Sequence, residues 1–216
     1  MTTTSTDRGA APGAHPSTSG ADAGERAGGG ARLVQTPSQT VGPYFGYALP
    51  YAGGPALVPS THPSAIRLHG RVLDGIGAPI PDAFLEIWQP DEQGVLPRIA
   101  GSRRRELTRF TGFGRAATEV DGSYEFLTVL PGAVGGDGPR WAAVTVFARG
   151  LLHHLFTRAY FVPQGEDDPV DALLERVPDD RRGTLLARQD GPASYRFDVH
   201  LQGEHETVFL DFAEPR

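Results

Sequence analysis

Ile66-Arg67-Leu68-His69-Gly70-Arg71-Val72 sets apolar side chains between polar ones. Successive side chains on a β-strand point to opposite faces, so Ile66, Leu68 and Val72 are expected to bury one face, with Arg67, His69 and Arg71 on the other. Downstream, Asp74-Gly75-Ile76-Gly77-Ala78-Pro79 reads as a turn, and Phe84–Trp88 supplies the next apolar strand. Val120-Asp121-Gly122-Ser123 reads as a tight hairpin turn into Tyr124, Phe126 and Thr128. Val144–Phe147, Leu155–Val162, Tyr195–Leu201 and Thr207–Phe212 complete roughly seven or eight strands. One excursion reads as a helix: Asp168 is placed to cap it, Pro169 to occupy its first position, and Val170, Leu173, Leu174 and Val177 follow helical spacing. A second short helical turn is expected around Thr184–Ala187. The predicted architecture is all-β, an antiparallel β-sandwich or its closed relative, a barrel, with short helical insertions.

Composition supports many short strands joined by turns. Of 216 residues, 28 are Gly and 19 are Pro. The absence of cysteine excludes disulfides, Cys-ligated zinc and iron–sulfur clusters. The chain also lacks lysine, which removes Schiff-base chemistry and the P-loop. A formal charge of −6 argues against non-specific nucleic-acid binding. From Thr2 to Arg32 there is no Val, Ile, Leu, Phe, Tyr or Trp, so residues 1–32 are expected to form a disordered tail. The folded domain is expected over 33–216, with an N-terminal arm over 33–60. No segment has the apolar run of a signal peptide or a membrane span, so a cytoplasmic protein that does not bind membranes is expected.

The residues by themselves do not assemble an active site. The seven histidines are His15, His62, His69, His153, His154, His200 and His205, and no two have H-x-H, H-x-x-x-H or H-E-x-x-H spacing. His153 and His154 are adjacent, so on a strand they would point to opposite faces. There is no G-x-S-x-G elbow, and Glu204/Glu206 and Asp167/Asp168 fit solvated loop or capping charges better than a catalytic dyad. On this evidence a non-catalytic ligand-binding or assembly module remains open, as does an enzyme with an unrecognised metal site.

Several separated blocks carry a resemblance. The strongest is Thr36-Pro37-Ser38-Gln39-Thr40-Val41-Gly42-Pro43-Tyr44-Phe45. Gly70–Gly75, Pro81-Asp82-Ala83, Leu85–Pro90, Gly112-Phe113-Gly114-Arg115, Asp121–Phe126 and Leu130-Pro131-Gly132 follow in order. The later blocks are Val146-Phe147-Ala148-Arg149-Gly150, Thr157–Phe161, Tyr195–Asp198 and Thr207–Phe212. From Leu33 to Phe212 the chain resembles the intradiol ring-cleavage dioxygenases, and among them the α type of subunit in heteromeric members.

The resemblance implies a division of labour. In that family a β subunit holds Fe(III) through two tyrosinates and two imidazoles, a donor set suited to a hard cation. The matching positions here are Leu96, Val134, Trp141 and Ala143, none of which ligates iron. Fe(III) is therefore expected on a partner β subunit, in a hetero-oligomer of αβ pairs, with this chain inactive by itself. The implied reaction adds both atoms of O₂ to protocatechuate, cleaving between the hydroxylated carbons to give 3-carboxy-cis,cis-muconate. Thr40, Gly42, Pro43, Tyr44 and Arg149 are the implied substrate-pocket residues. Arg149 would offer a cation to the substrate carboxylate, Gly42 and Pro43 would keep the loop narrow and stiff, and Tyr44 would line the cavity.

Overall fold

The computed structural model describes residues 39–42, 44–99 and 109–212. The expected tail 1–32, the start of the arm over 33–38, and Pro43 lie outside them. Strand β1 (Ala65–Leu73) follows the predicted alternation, burying Ile66, Leu68, Gly70 and Val72. It pairs antiparallel with β4 (Ser123–Val129), from Ala65 opposite Val129 to Arg71 opposite Ser123. Tyr124 and Phe126 of β4 join the same core, their rings 5.9 Å apart and edge to face.

The other strands are β2 (Phe84–Trp88), β3 (Phe113–Ala117), β5 (Trp141–Phe147), β6 (Leu155–Val162), β7 (Leu186–Gly191), β8 (Ser194–Arg196) and β9 (Val199–His200). They form one sheet in the order β3-β2-β5-β6-β7-β8-β1-β4, with β9 also beside β1. This corrects the antiparallel sandwich: the sheet is mixed and nearly closed, closer to a barrel. Antiparallel pairing holds for β1–β4, β2–β3, β2–β5, β5–β6 and β7–β8. It fails for β6–β7, β1–β8 and β1–β9, which are parallel. The connection over 163–185 is long enough to return the chain to the end where β6 began, as a parallel neighbour requires.

Residues 54–57 link the edge strands of the sheet. Arg115 N–H of β3 donates to the Gly54 carbonyl at 2.9 Å. Leu127 of β4 donates to Pro55 O at 3.0 Å and accepts from Leu57 N–H at 2.8 Å. Within the sheet, Leu68, Leu85, Ile87, Phe126, Val144, Val146, Phe161, Phe197 and Val199 form the main core. Truncating a fully buried aromatic such as Phe126 to Ala costs about 3–5 kcal/mol. Gln89, fully buried, is satisfied by donating to Val129 O at 2.9 Å and accepting from Thr128 Oγ1 at 2.9 Å.

The helix expected from Asp168 to Val177 is reduced to a single 3₁₀ turn, Leu174–Arg176. Asp171 supplanted Asp168 as the local cap: its Oδ1 accepts the N–H groups of Leu173 and Leu174, while Asp168 pairs with Arg188. Pro178 then breaks the run before the short helix α2 (Asp179–Arg182). The turn expected around Thr184–Ala187 is 3₁₀ over Gly183–Leu185, running straight into β7. Thr207–Phe212 is not a strand; it meets β6 through Leu210 N–H to Phe156 O at 2.7 Å and Thr157 Oγ1 to Val208 O at 2.8 Å, too few bonds for a ladder. Among the described residues no helix is long and apolar enough to cross a membrane.

Candidate functional site

The helix α1 (Tyr44–Ala48) buries one side chain, Phe45, which stacks on Phe147 with ring centroids 6.2 Å apart. Phe147 is the last residue of β5, and Ala148-Arg149-Gly150-Leu151 turns the chain away from it. Gly150 has φ +97, a conformation that L side chains rarely adopt, so the turn depends on glycine there. The Leu151 carbonyl accepts the N–H of Val41. Arm and turn are thereby joined twice, by this hydrogen bond and by the stacked pair Phe45–Phe147.

Thr40, Gly42, Tyr44 and Arg149 therefore lie on two neighbouring segments of one edge, and Pro43 lies outside the described residues. The Tyr44 side chain is 81% exposed. Thr40 and Gly42 are exposed as well. A Cβ placed on Gly42 would meet nothing within 4 Å, so this chain's own packing does not demand glycine there. Arg149 Nη2 pairs with Asp82 Oδ2 at 2.9 Å, and its side chain is 66% exposed. A guanidinium carries five N–H donors in a fixed fork, so pairing with one carboxylate leaves donors for another anion.

Sequence reasoning missed the aromatic surface beside these residues. His154 stands 5.4 Å from the Phe147 ring and 4.7 Å from Phe156, and Phe156 stands 5.5 Å from Phe212. Tyr47, Leu152 and Phe212 are largely exposed. The available signal was Phe147 and Phe156 in strand positions that face away from the core. Phe147, His154, Phe156 and Phe212 thus touch in a row that ends in the exposed Phe212 ring, and exposed apolar groups gathered in this way make a candidate interaction surface. The adjacent His153 and His154 lie in a loop, and His154 is taken up by these ring contacts.

Trp141 and Ala143 share the outward face of β5 with Phe147, as their burial pattern requires. Their partners on β6 are Tyr160 and Arg158. The Arg158 guanidinium lies 4.2 Å over the Trp141 ring and donates to Tyr160 Oη at 3.1 Å. Tyr160 Oη donates to Asp171 Oδ2 at 2.9 Å, with Arg158 also 3.5 Å from that carboxylate. Burial, and then the hydrogen bond to Asp171, push the Tyr160 phenol well above the ordinary tyrosine value, so it stays protonated at neutral pH and is engaged with Asp171. Leu96 and Val134, in the two loops, offer only hydrocarbon. An indole, a methyl, two aliphatic side chains and a guanidinium do not fit a ferric ion. Among the described residues no group of three or more His, Asp or Glu side chains converges as a metal site.

A groove of about 780 Å³ lies on the outer face of β8, β1 and β4, bordered by Ala116 and Ala117 of β3 and by Pro55 and Ala56 of the arm, and none of Thr40, Gly42, Tyr44 and Arg149 lines it. Most of its charges are paired, with Arg67 on Glu125 at 2.6 Å, Arg71 on Asp121 at 3.2 Å and Arg196 on Asp198 at 2.9 Å. Such pairs describe a solvated sheet face better than a ligand site.

Residues 40–203 match a family model described as dioxygenase. A protocatechuate 3,4-dioxygenase alpha chain from Burkholderia cepacia is 41% identical over 197 residues, spanning 83% of this chain and 98% of that one. Its counterpart from Pseudomonas putida is 39% identical over 202 residues, with the same shares covered. A protocatechuate 3,4-dioxygenase beta chain from Burkholderia cepacia is 30% identical over 159 residues, 66% of each chain. The chain belongs to the intradiol dioxygenase family.

Proposed function

We propose that this chain is the α subunit of a protocatechuate 3,4-dioxygenase and forms one wall of a substrate pocket completed by a partner β subunit that holds Fe(III). The observation that carries this role is the joining of the arm to the Arg149 turn through Val41 N–H and the Leu151 carbonyl. That bond sets an exposed tyrosine and an exposed arginine on one edge, beside an uncovered aromatic surface. A planar guanidinium recognises a carboxylate through two parallel hydrogen bonds, which suits a carboxylated catechol, with O₂ as the co-substrate. Thr40, Gly42 and Pro43 would pass close to the bound ring while Tyr44 excludes water from it. The residues of this chain bind, orient and shield; the oxidative chemistry lies with the partner's metal.

Co-expression with the iron-bearing β chain tests the role. Arg149→Ala is expected to raise KM for protocatechuate about tenfold or more, the worth of one charge-assisted hydrogen bond, while leaving turnover of catechols that lack the carboxylate nearly unchanged. Equal kinetics for the variant and the unaltered complex on protocatechuate would refute the pocket role of Arg149.

A further inference from the structure

Arg115 of β3 is an arginine whose side chain is only 12% exposed. It stands directly opposite Glu86 of β2, and its Nε donates to Glu86 Oε1 at 2.5 Å. Its Nη1 donates to the Leu49 carbonyl at 3.0 Å, and the guanidinium carbon lies 5.8 Å from the Tyr51 ring centre and 5.3 Å from that of Phe113. Its backbone N–H holds the Gly54 carbonyl at 2.9 Å. A Cβ at Gly54 would approach the Arg115 carbonyl oxygen to 2.9 Å, so the strand and the Leu49–Gly54 segment are as close as glycine permits.

These contacts act on the site through α1. Leu49 N–H donates to Phe45 O at 3.1 Å, so the residue gripped by Arg115 is also the one that closes the short helix beginning at Tyr44. The helix is fixed in front by Phe45 on Phe147 and behind by Leu49 on Arg115. A largely buried ion pair is a poor device for stability, because hydrophobic residues of like volume often serve as well or better. Its strength is geometry. A guanidinium fork meets Glu86 and the Leu49 carbonyl together, whereas a lysine ammonium on its single stem does not span both.

We infer that Arg115 is a positioning residue, which through the Leu49 carbonyl and the Tyr51 ring sets α1, and with it Tyr44, at the substrate pocket. This rests on the pocket-wall role proposed above. The test uses the co-expressed αβ complex with Arg115→Lys, the double variant Glu86→Gln/Arg115→Met, and Tyr44→Ala as reference. KM and kcat for protocatechuate are measured, together with amide hydrogen exchange over residues 39–51. Both Arg115 variants are expected to raise KM about five- to tenfold, with kcat within about twofold. Exchange at the Val41 and Leu49 amides should quicken while β1 amides stay protected. The double variant leaves no unpaired carboxylate in the sheet, so it keeps the measurement possible if the single variant folds poorly. Unchanged KM and exchange in both, with KM raised by Tyr44→Ala, would overturn the inference. So would a loss of kcat and thermal stability at constant KM, which is what a merely structural pair produces. If Tyr44→Ala itself leaves KM unmoved, the pocket-wall role fails and this inference falls with it.

Discussion

The outward face of β5 has two unlike ends. At one, Trp141 is covered by Arg158, and Tyr160 and Asp171 complete a set in which the polar groups bond to one another. At the other, Phe147 supports Phe45 and His154, and the row continues to Phe156 and to Phe212, which is 72% exposed. The first end is finished within this chain. The second leaves aromatic rings and an arginine facing water, which is what a surface shaped for a partner looks like. Within a family whose chemistry requires a metal, the finished end is where the resemblance aligned the imidazole positions, and the unfinished end is the one on which the proposed pocket-wall role rests.

The contrast breaks most readily at Arg149. Charge reversal, Arg149→Glu, is expected to lower kcat/KM for protocatechuate about 100-fold or more in the complex, since a favourable charge contact becomes a repulsive one. The isolated chain should keep its thermal stability, because the pair with Asp82 is exposed. A comparable loss of stability would mean that Arg149 is structural.

The finished end should respond in the opposite sense. Tyr160→Phe removes the donor to Asp171 and is expected to cost about 1–2 kcal/mol in thermal or denaturant unfolding, with KM unchanged. A shift in KM instead would show that the cluster communicates with the pocket. The phenol's raised pKa adds a pH dependence. A group harder to ionise folded than unfolded contributes stability in full below its unfolded value of 10.0 and loses it as pH climbs through the folded value. Unfolding free energy should therefore fall above about pH 10, and less steeply in Tyr160→Phe. Equal slopes for the two proteins would contradict the protonated, Asp171-bonded phenol. Tyr124, fully buried and raised by desolvation, contributes in the same direction in both proteins.

The smallest effect is expected at Gly42. Open space around it means that Gly42→Ala should leave the melting temperature of the isolated chain unmoved, while KM in the complex rises about two- to fivefold if the substrate or the partner passes close by. An unchanged KM would remove Gly42 from the pocket.

Much of this was legible in advance where local physics decides. β1 follows from alternation, and β6 has the limits expected from its apolar run. Parallel partners were not legible, because nothing in Tyr195–Leu201 records that β8 and β9 lie beside β1 in the same direction. The helix from Asp168 failed through competition between two nearby acids, which spacing does not resolve: Asp171 reaches two backbone N–H groups while Asp168 finds Arg188. At the site, Arg149 and the arm were visible only through motifs, since their apposition rests on one backbone hydrogen bond and one stacked ring pair between residues far apart in the chain. Arg115 stood in the sequence only as the end of the Gly112-Phe113-Gly114-Arg115 block, and its bond to the Leu49 carbonyl is visible only in the structure.

Iron partition between separately purified and co-expressed chains, read together with oxygen uptake on protocatechuate, bears most directly on the division of labour. This chain purified by itself should carry no stoichiometric iron and consume no oxygen, while the complex should hold iron in proportion to its β chain and cleave protocatechuate between the hydroxylated carbons. Stoichiometric iron and ring cleavage by this chain without its partner would contradict a role confined to the pocket wall.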